Sequence, residues 1–253
     1  VPRAEASAER LAEVLKTEPS VKDPEKPIMS GEMEGCIEFC NVEFAYPNAE
    51  EPVLKEISFA AIPGETTAVI GSTGCGKSTL VNLIPRFYDV TGGSILIDNV
   101  DIRNMPLRVL RDKIGFVPQK AFLFSGTIAD NLRYGNKNAT EEELWHALEV
   151  AQAKDFVMEM PGQLDALIEQ GGTNVSGGQR QRLAIARALI KKPEIYVFDD
   201  SFSALDFKTD AKLRIALKKE TLNSTVIIVA QRVSTIMDAN RIIVLSDNGT
   251  IAG

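Results

Sequence analysis

Residues 66–87 tie three elements together in an order that constrains the whole fold. Thr66-Thr67-Ala68-Val69-Ile70 is a short apolar strand, it runs directly into Gly71-Ser72-Thr73-Gly74-Cys75-Gly76-Lys77-Ser78, and residues 78–87 continue as a helix. A strand, a glycine loop and a helix in that order aim successive backbone N–H groups and a helix N-terminus at one place, which is a cradle for phosphate. The glycines permit backbone angles that a Cβ would block. Lys77 adds a point charge for the β- and γ-oxygens of a nucleotide, Ser78 a hydroxyl for Mg²⁺, and Thr79 a second hydroxyl beside the phosphates. Cys75 sits at a variable position of the loop and needs no chemistry of its own. A chance turn is the alternative, and the flanking strand and helix argue against it.

A second glycine loop, Val175-Ser176-Gly177-Gly178-Gln179, feeds another helix at 178–190, so the chain carries two devices for holding phosphate. Residues 36–44 and 54–62 read as strands joined through Pro47-Asn48, which gives a small antiparallel sheet. From about 119 to 190 the character is that of a helical insertion, with residues 140–154 strongly helical behind an N-capping Thr140. Alternation then resumes, with strands at 195–198, 225–230 and 241–245 and a helix around 210–220, which implies a parallel sheet. Ahead of all this, residues 4–17 form a short amphipathic helix with Leu11, Val14 and Leu15 at helical spacing. Pro19, Pro24 and Pro27 then mark a linker, so the domains are expected at 1–33 and 34–253. The chain stops at Gly253 after the turn Asp247-Asn248-Gly249, where a further C-terminal element is expected.

Composition excludes several classes of function. A net charge of -7 offers no basic face, so no nucleic acid is expected as partner. Three cysteines do not make the disulfide framework of a secreted protein, which points to a reducing, cytosolic setting. No run approaches the ~18 to 20 apolar residues of a membrane-spanning helix.

The strand Ile195-Tyr196-Val197-Phe198-Asp199 ends in a carboxylate, and an Asp at this distance behind a P-loop is placed to reach Mg²⁺. With Ser176-Gly177-Gly178-Gln179 running into residues 180–189, the chain from about residue 34 onward resembles the nucleotide-binding domain of an ATP-binding cassette (ABC) transporter. The resemblance implies an α/β fold: a P-loop NTPase (RecA-like) core, an antiparallel β-subdomain and an α-helical subdomain. It implies ATP and Mg²⁺ as cofactors. It also assigns Tyr46 to stacking on adenine, Gln119 to sensing Mg²⁺ and the γ-phosphate, and Asp206, within Ser203-Ala204-Leu205-Asp206, to the D-loop. Read without the family, Tyr46 is a packing residue and Gln119 a surface one. Phe124-Ser125-Gly126-Thr127-Ile128, with Asn131 and Leu132, resembles the segment that faces the membrane domain in exporter-type members. The implied setting is the cytoplasmic face of the cell membrane, with an exporter's transmembrane domain and a second nucleotide-binding domain as partners.

Two positions depart from the family pattern, and both act on the attacking water. Asp200 stands where a catalytic glutamate is usual, so its carboxylate is one methylene shorter; a ~1 Å misplacement costs on the order of a hundredfold in rate. Gln231 stands where a histidine is usual and offers only a neutral amide. Together they suggest a site that binds ATP but hydrolyses it slowly, in a heterodimer whose other chain brings Glu and His. In this family two domains close head to tail, so Ser176 to Gln179 would complete the partner's site.

Other readings carry less. Cys36 and Cys40 resemble a metal half-site but read better as two small buried side chains on one strand face. Asp199 and Asp200, adjacent on a strand, should point to opposite faces and have different jobs. The one histidine, His146, reads as a surface residue, and the N-terminal helix as packed on the domain or frayed rather than as a membrane anchor. Two rivals remain: a DNA-repair or chromosome-structural ATPase head, against which the short, coil-free path between the two loops argues, and a regulatory module that uses ATP only as dimer glue.

Overall fold

The computed structural model describes residues 2–28 and 34–253. Residues 29–33, the end of the expected linker and with them the expected boundary at 33/34, lie outside the described residues. The chain opens with helix α1 (Pro2–Lys16) and then strands β1 (Ile37–Phe44) and β2 (Leu54–Ala61). β3 (Thr66–Gly71) leads into α2 (Lys77–Leu83), followed by β4 (Gly92–Ile97), β5 (Val100–Asp101), α3 (Leu107–Asp112) and β6 (Ile114–Val117). A mainly helical stretch comes next, with β7 (Gly126–Thr127), α4 (Ile128–Arg133), α5 (Glu141–Val150), α6 (Lys154–Glu159), β8 (Leu167–Ile168) and α7 (Gly177–Ile190). The last elements are β9 (Ile195–Asp199), α8 (Phe207–Glu220), β10 (Thr225–Val229), α9 (Val233–Ile236) and β11 (Arg241–Leu245).

Five strands form a parallel sheet in the order β11-β3-β10-β9-β6. β9 and β10 are buried at every position, as central strands covered on both faces must be, and their unbroken apolar runs are what make that possible. Alternate residues of β9 serve two different cores. Ile195 and Val197 pack with Leu80 and Leu83 of α2 and with Ile37 and Phe39 of the antiparallel sheet, ordered β2-β1-β4-β5. Tyr196 and Phe198 pack with Leu213 and Leu217 of α8 and Leu183 and Ala184 of α7. The mixed α/β architecture expected from the sequence is the one observed.

Register then decides where chemistry can occur. β10 pairs Val229 with Asp199 on one side and with Val69 on the other, so Asp199 ends its strand level with the start of the glycine loop. Both lie at the carboxyl edge of the parallel sheet, where ligands of open α/β sheets collect.

Several element boundaries differ from expectation. α2 ends at Leu83 instead of running to 87, because Pro85 has no N–H to continue the ladder, and Arg86 turns to φ 56°. The helix expected at 140–154 stops at Val150, since Gln152 takes φ 57°, and α6 starts afresh at Lys154. α8 starts at Phe207, earlier than expected, because the Asp206 carboxylate accepts from the N–H groups of Lys208 (3.1 Å) and Thr209 (2.9 Å) and caps it. Leu11, Val14 and Leu15 are 65, 72 and 85% exposed, so α1 does not pack its apolar stripe on the domain. Cys36 and Cys40 are half-buried rather than buried, because Ile37 and Phe39, on the opposite parity, take the core face of β1.

Candidate functional site

The loop between β3 and α2 is shaped by its glycines. Gly71 adopts φ 153°, and a Cβ there would stand 2.4 Å from the Leu245 carbonyl of β11 and 2.6 Å from Cys75 Sγ. Gly74 and Gly76 take φ 89° and 102°, left-handed angles that a side chain resists. The remaining loop residues, Ser72 and Thr73, complete the turn, and the Ser72 hydroxyl donates to Asp247 just past β11. Sequence reasoning missed Asp247, which lies 175 residues away and carries no local signal. Lys77 Nζ donates to the carbonyls of Gly71 (2.9 Å) and Ser72 (2.6 Å), so its ammonium is held inside the loop. Cys75 is 4% exposed, and its Sγ lies 3.8 Å from that ammonium, beneath the loop.

Across the loop stands the end of β9. Ser78 Oγ donates to Asp199 Oδ1 at 3.0 Å. Asp199 is 5% exposed, and burial pushes its carboxyl above the usual carboxylate range; the Asp200 charge adds to this, while the Ser78 hydrogen bond and Lys77 oppose it. A half-buried hydroxyl and a buried carboxylate, with the Gln119 amide oxygen two residues past β6, make an all-oxygen donor set that fits Mg²⁺. Asp199 and Asp200 do have different partners, but not through strand alternation. Asp200 has left the strand at φ 46°. Its Oδ2 accepts from Gln119 Nε2 at 3.2 Å.

Tyr46 packs among other rings, the role read for it without the family. Its ring packs edge-on against Phe44 (4.9 Å between centroids) and Tyr88 (5.4 Å), and its hydroxyl pairs with Thr79 Oγ1 at 3.0 Å, which brings it to the first turn of α2. Gln231 is exposed just past β10, two residues after Val229. P-loop, Asp199, Asp200, Gln119, Tyr46 and Thr79 are thus linked by direct bonds or chain adjacency at one sheet edge.

The second glycine loop is built separately. Ser176 caps α7 with its Oγ on Gln179 N–H (3.2 Å), and Gln179 Oε1 accepts from Ser176 N–H (2.9 Å), a reciprocal capping box. A Cβ on Gly178 would stand 3.2 Å from the Ala204 carbonyl, so this glycine has a packing reason. Gly177 has none: among the described residues its Cβ position meets nothing within 4 Å. Asp206 is turned to capping α8, and hydrogen bonds, first from Thr209, hold its carboxyl below the usual range.

Two further surface features frame the site. A cleft of about 290 Å³ between the core and the helical stretch is lined by Phe87, Phe116, Phe124 and Tyr134 with Arg111 and Arg187. Asn131, 1% exposed, fixes its rim by accepting from Phe124 N–H and donating to the carbonyls of Phe124 and Thr127. His146 is exposed as expected and joins α5 to α8 through Glu220 at 3.0 Å. A more enclosed, mainly apolar cleft of about 340 Å³ lies between α8 and the sheet, lined by Phe198, Leu217, Val226 and Ile228 and away from both glycine loops.

Comparison with known proteins agrees with this geometry. Residues 54–203 match the family model described as ABC transporter. An uncharacterised ABC transporter ATP-binding protein of Mycobacterium tuberculosis is 50% identical over 257 aligned positions, covering 100% of this chain and 44% of that protein. A β-(1→2)glucan export ATP-binding/permease protein of Rhodopseudomonas palustris is 46% identical (96% of this chain, 41% of that one). An ATP-dependent lipid A-core flippase of Methylobacillus flagellatus is 43% identical (98% and 42%). A structure of a bacterial Atm1-family ABC exporter with ATP bound superposes with a TM-score of 0.92 at 35% identity, over 100% of this chain and 44% of that one. The chain therefore spans less than half the length of the relatives it matches.

Proposed function

Since the chain belongs to the ABC transporter family, we propose that it is the nucleotide-binding domain of an exporter, binding Mg-ATP in the loop 71–79 and closing head to tail on a second such domain. The observation that carries the proposal is the bond of Ser78 to Asp199 across the mouth of the loop, with Gln119 and Asp200 joined beside it. In this reading the loop N–H groups and Lys77 hold the β- and γ-phosphates, Tyr46 offers its ring to the base, and Ser78, Asp199 and Gln119 face the metal. Mg²⁺, when bound, offsets charge on the phosphate oxygens. Asp200 is the carboxylate available to orient the attacking water. Gln231 contributes an amide without a titratable proton.

The partner half of the proposal is supported by Gly177. Among the described residues nothing meets a Cβ at Gly177 within 4 Å, so its backbone is open to a group from outside the chain, read here as a phosphate held by another domain's P-loop. Its own site is proposed to be slow, because Asp200 is short and Gln231 cannot titrate, while 176–179 serve a competent site on a different chain. The aromatic cleft around Phe124 and Tyr134 is proposed as the seat of the transmembrane domain, which places this domain on the cytoplasmic face of a membrane. Among the described residues no helix is long and apolar enough to cross one.

ATP turnover of the native chain, alone and with a second nucleotide-binding domain, is the test, compared with Asp200→Glu/Gln231→His. Slow native turnover with a rise of about tenfold or more in the double variant is expected. Fast turnover by the native chain alone sinks the slow-site reading. ATP-dependent pairing with no turnover in either form favours the glue reading.

A further inference from the structure

The residue after Gln231 does something that no motif assigns to it. Arg232 reaches back almost thirty positions and donates from Nη2 to the Ser203 carbonyl (2.8 Å) and from Nη1 to the Leu205 carbonyl (3.1 Å). Its guanidinium carbon lies 5.0 Å from the centroid of Phe207, the first residue of α8. The segment it grips is held at both ends by other groups. At the start, the Asp200 carbonyl accepts from Ser203 Oγ (2.8 Å); at the finish, Asp206 caps α8. Its middle abuts the second glycine loop, where the Ala204 carbonyl lies 3.2 Å from the Cβ position of Gly178.

We infer that Arg232 is a positioning residue for ATP turnover: its two-pronged grip fixes residues 203–206 between Asp200 and the start of α7, and the Phe207 ring packs against the guanidinium. This rests on the reading of Asp200 as the carboxylate that orients water. The fork geometry matters because Nη1 and Nη2 hold the two carbonyls at a fixed spacing in one plane, whereas a lysine's three donors rotate on a single nitrogen and set no such spacing. Phe207 is 72% exposed, so its ring contributes little to the core and its role here is separable from folding.

The test uses the chain in excess over radiolabelled ATP, with ATP affinity and Tm measured in parallel. Arg232→Lys is expected to slow single turnover roughly ten- to a hundredfold while ATP affinity and Tm stay near native, since the loss is one of alignment. Phe207→Ala should slow it less, and the double variant should be no slower than Arg232→Lys alone, because the ring acts only through the guanidinium. Amide exchange across 201–206 in the presence of ATP should quicken in both single variants. Native turnover and native exchange in Arg232→Lys overturn the inference, as does a parallel fall in ATP affinity, Tm and rate, which marks a merely structural residue. Should the native chain bind ATP without turning it over, unchanged exchange in Arg232→Lys overturns it. Failure of the functional reading looks different: ATP binding is then absent, or insensitive to Lys77→Ala.

Discussion

At the scale of single residues, one departure from the pattern expected of the family, Asp200, acquires a physical setting. Asp200 takes φ 46°, a left-handed angle that Asp tolerates better than Glu. Asp200→Glu is therefore expected to cost a few tenths of a kcal/mol in stability, read from urea midpoints, even where it raises turnover. Asp is thus the residue that suits this backbone, and its shorter reach accompanies that fit. Gly177 gives the opposite kind of prediction. Gly177→Ala at the first position of α7 should leave stability unchanged or raise it by up to about 1 kcal/mol, because no described residue lies within 4 Å of its Cβ position. The same variant should abolish ATP-dependent pairing, measured by size-exclusion chromatography with and without ATP. Pairing at native strength would remove the argument that a partner's phosphate reaches this backbone.

At the scale of elements, strands were more legible than helix ends. Runs such as 195–199 and 225–229 are apolar at nearly every position, and only a strand buried on both faces uses such a run. Helix ends depended on single backbone events: Pro85 closing α2, Gln152 splitting the expected helix at 140–154, and Asp206 starting α8 early. Asp206 was assigned by resemblance to nucleotide chemistry, yet its carboxylate is engaged in a cap, and the two roles separate by substitution. Asp206→Asn preserves the cap and should keep stability within about 0.5 kcal/mol, whereas Asp206→Ala should lose about 1 kcal/mol in urea denaturation. Turnover lost in the Asn variant would assign the charge to catalysis. Turnover kept in Asn and lost in Ala would leave capping as its job.

At the scale of the whole molecule, the parallel sheet and its antiparallel companion meet around the glycine loop, where Val53, Leu54 and Leu245 approach its glycines, and the aromatic cleft lies between core and helices. Phe124 and Tyr134 are 43% and 62% exposed, so Phe124→Asp/Tyr134→Asp should leave Tm and ATP affinity within error of native. In a full-length exporter the same pair should uncouple turnover from substrate; unchanged coupling would exclude this cleft as the membrane domain's seat. The sequence by itself determined the P-loop, the carboxylate behind it, the second glycine loop and the alternation that makes a parallel sheet, because each is encoded within a few residues or a fixed period. Only the tertiary structure decided that Gln119 grips Asp200, that Asp247 braces Ser72, that Arg232 bonds the Ser203 and Leu205 carbonyls and that Gly177 faces no neighbour among the described residues. Those facts join residues from 27 to 175 positions apart, or concern empty space, and no local pattern records which distant strand ends the sheet register will bring level.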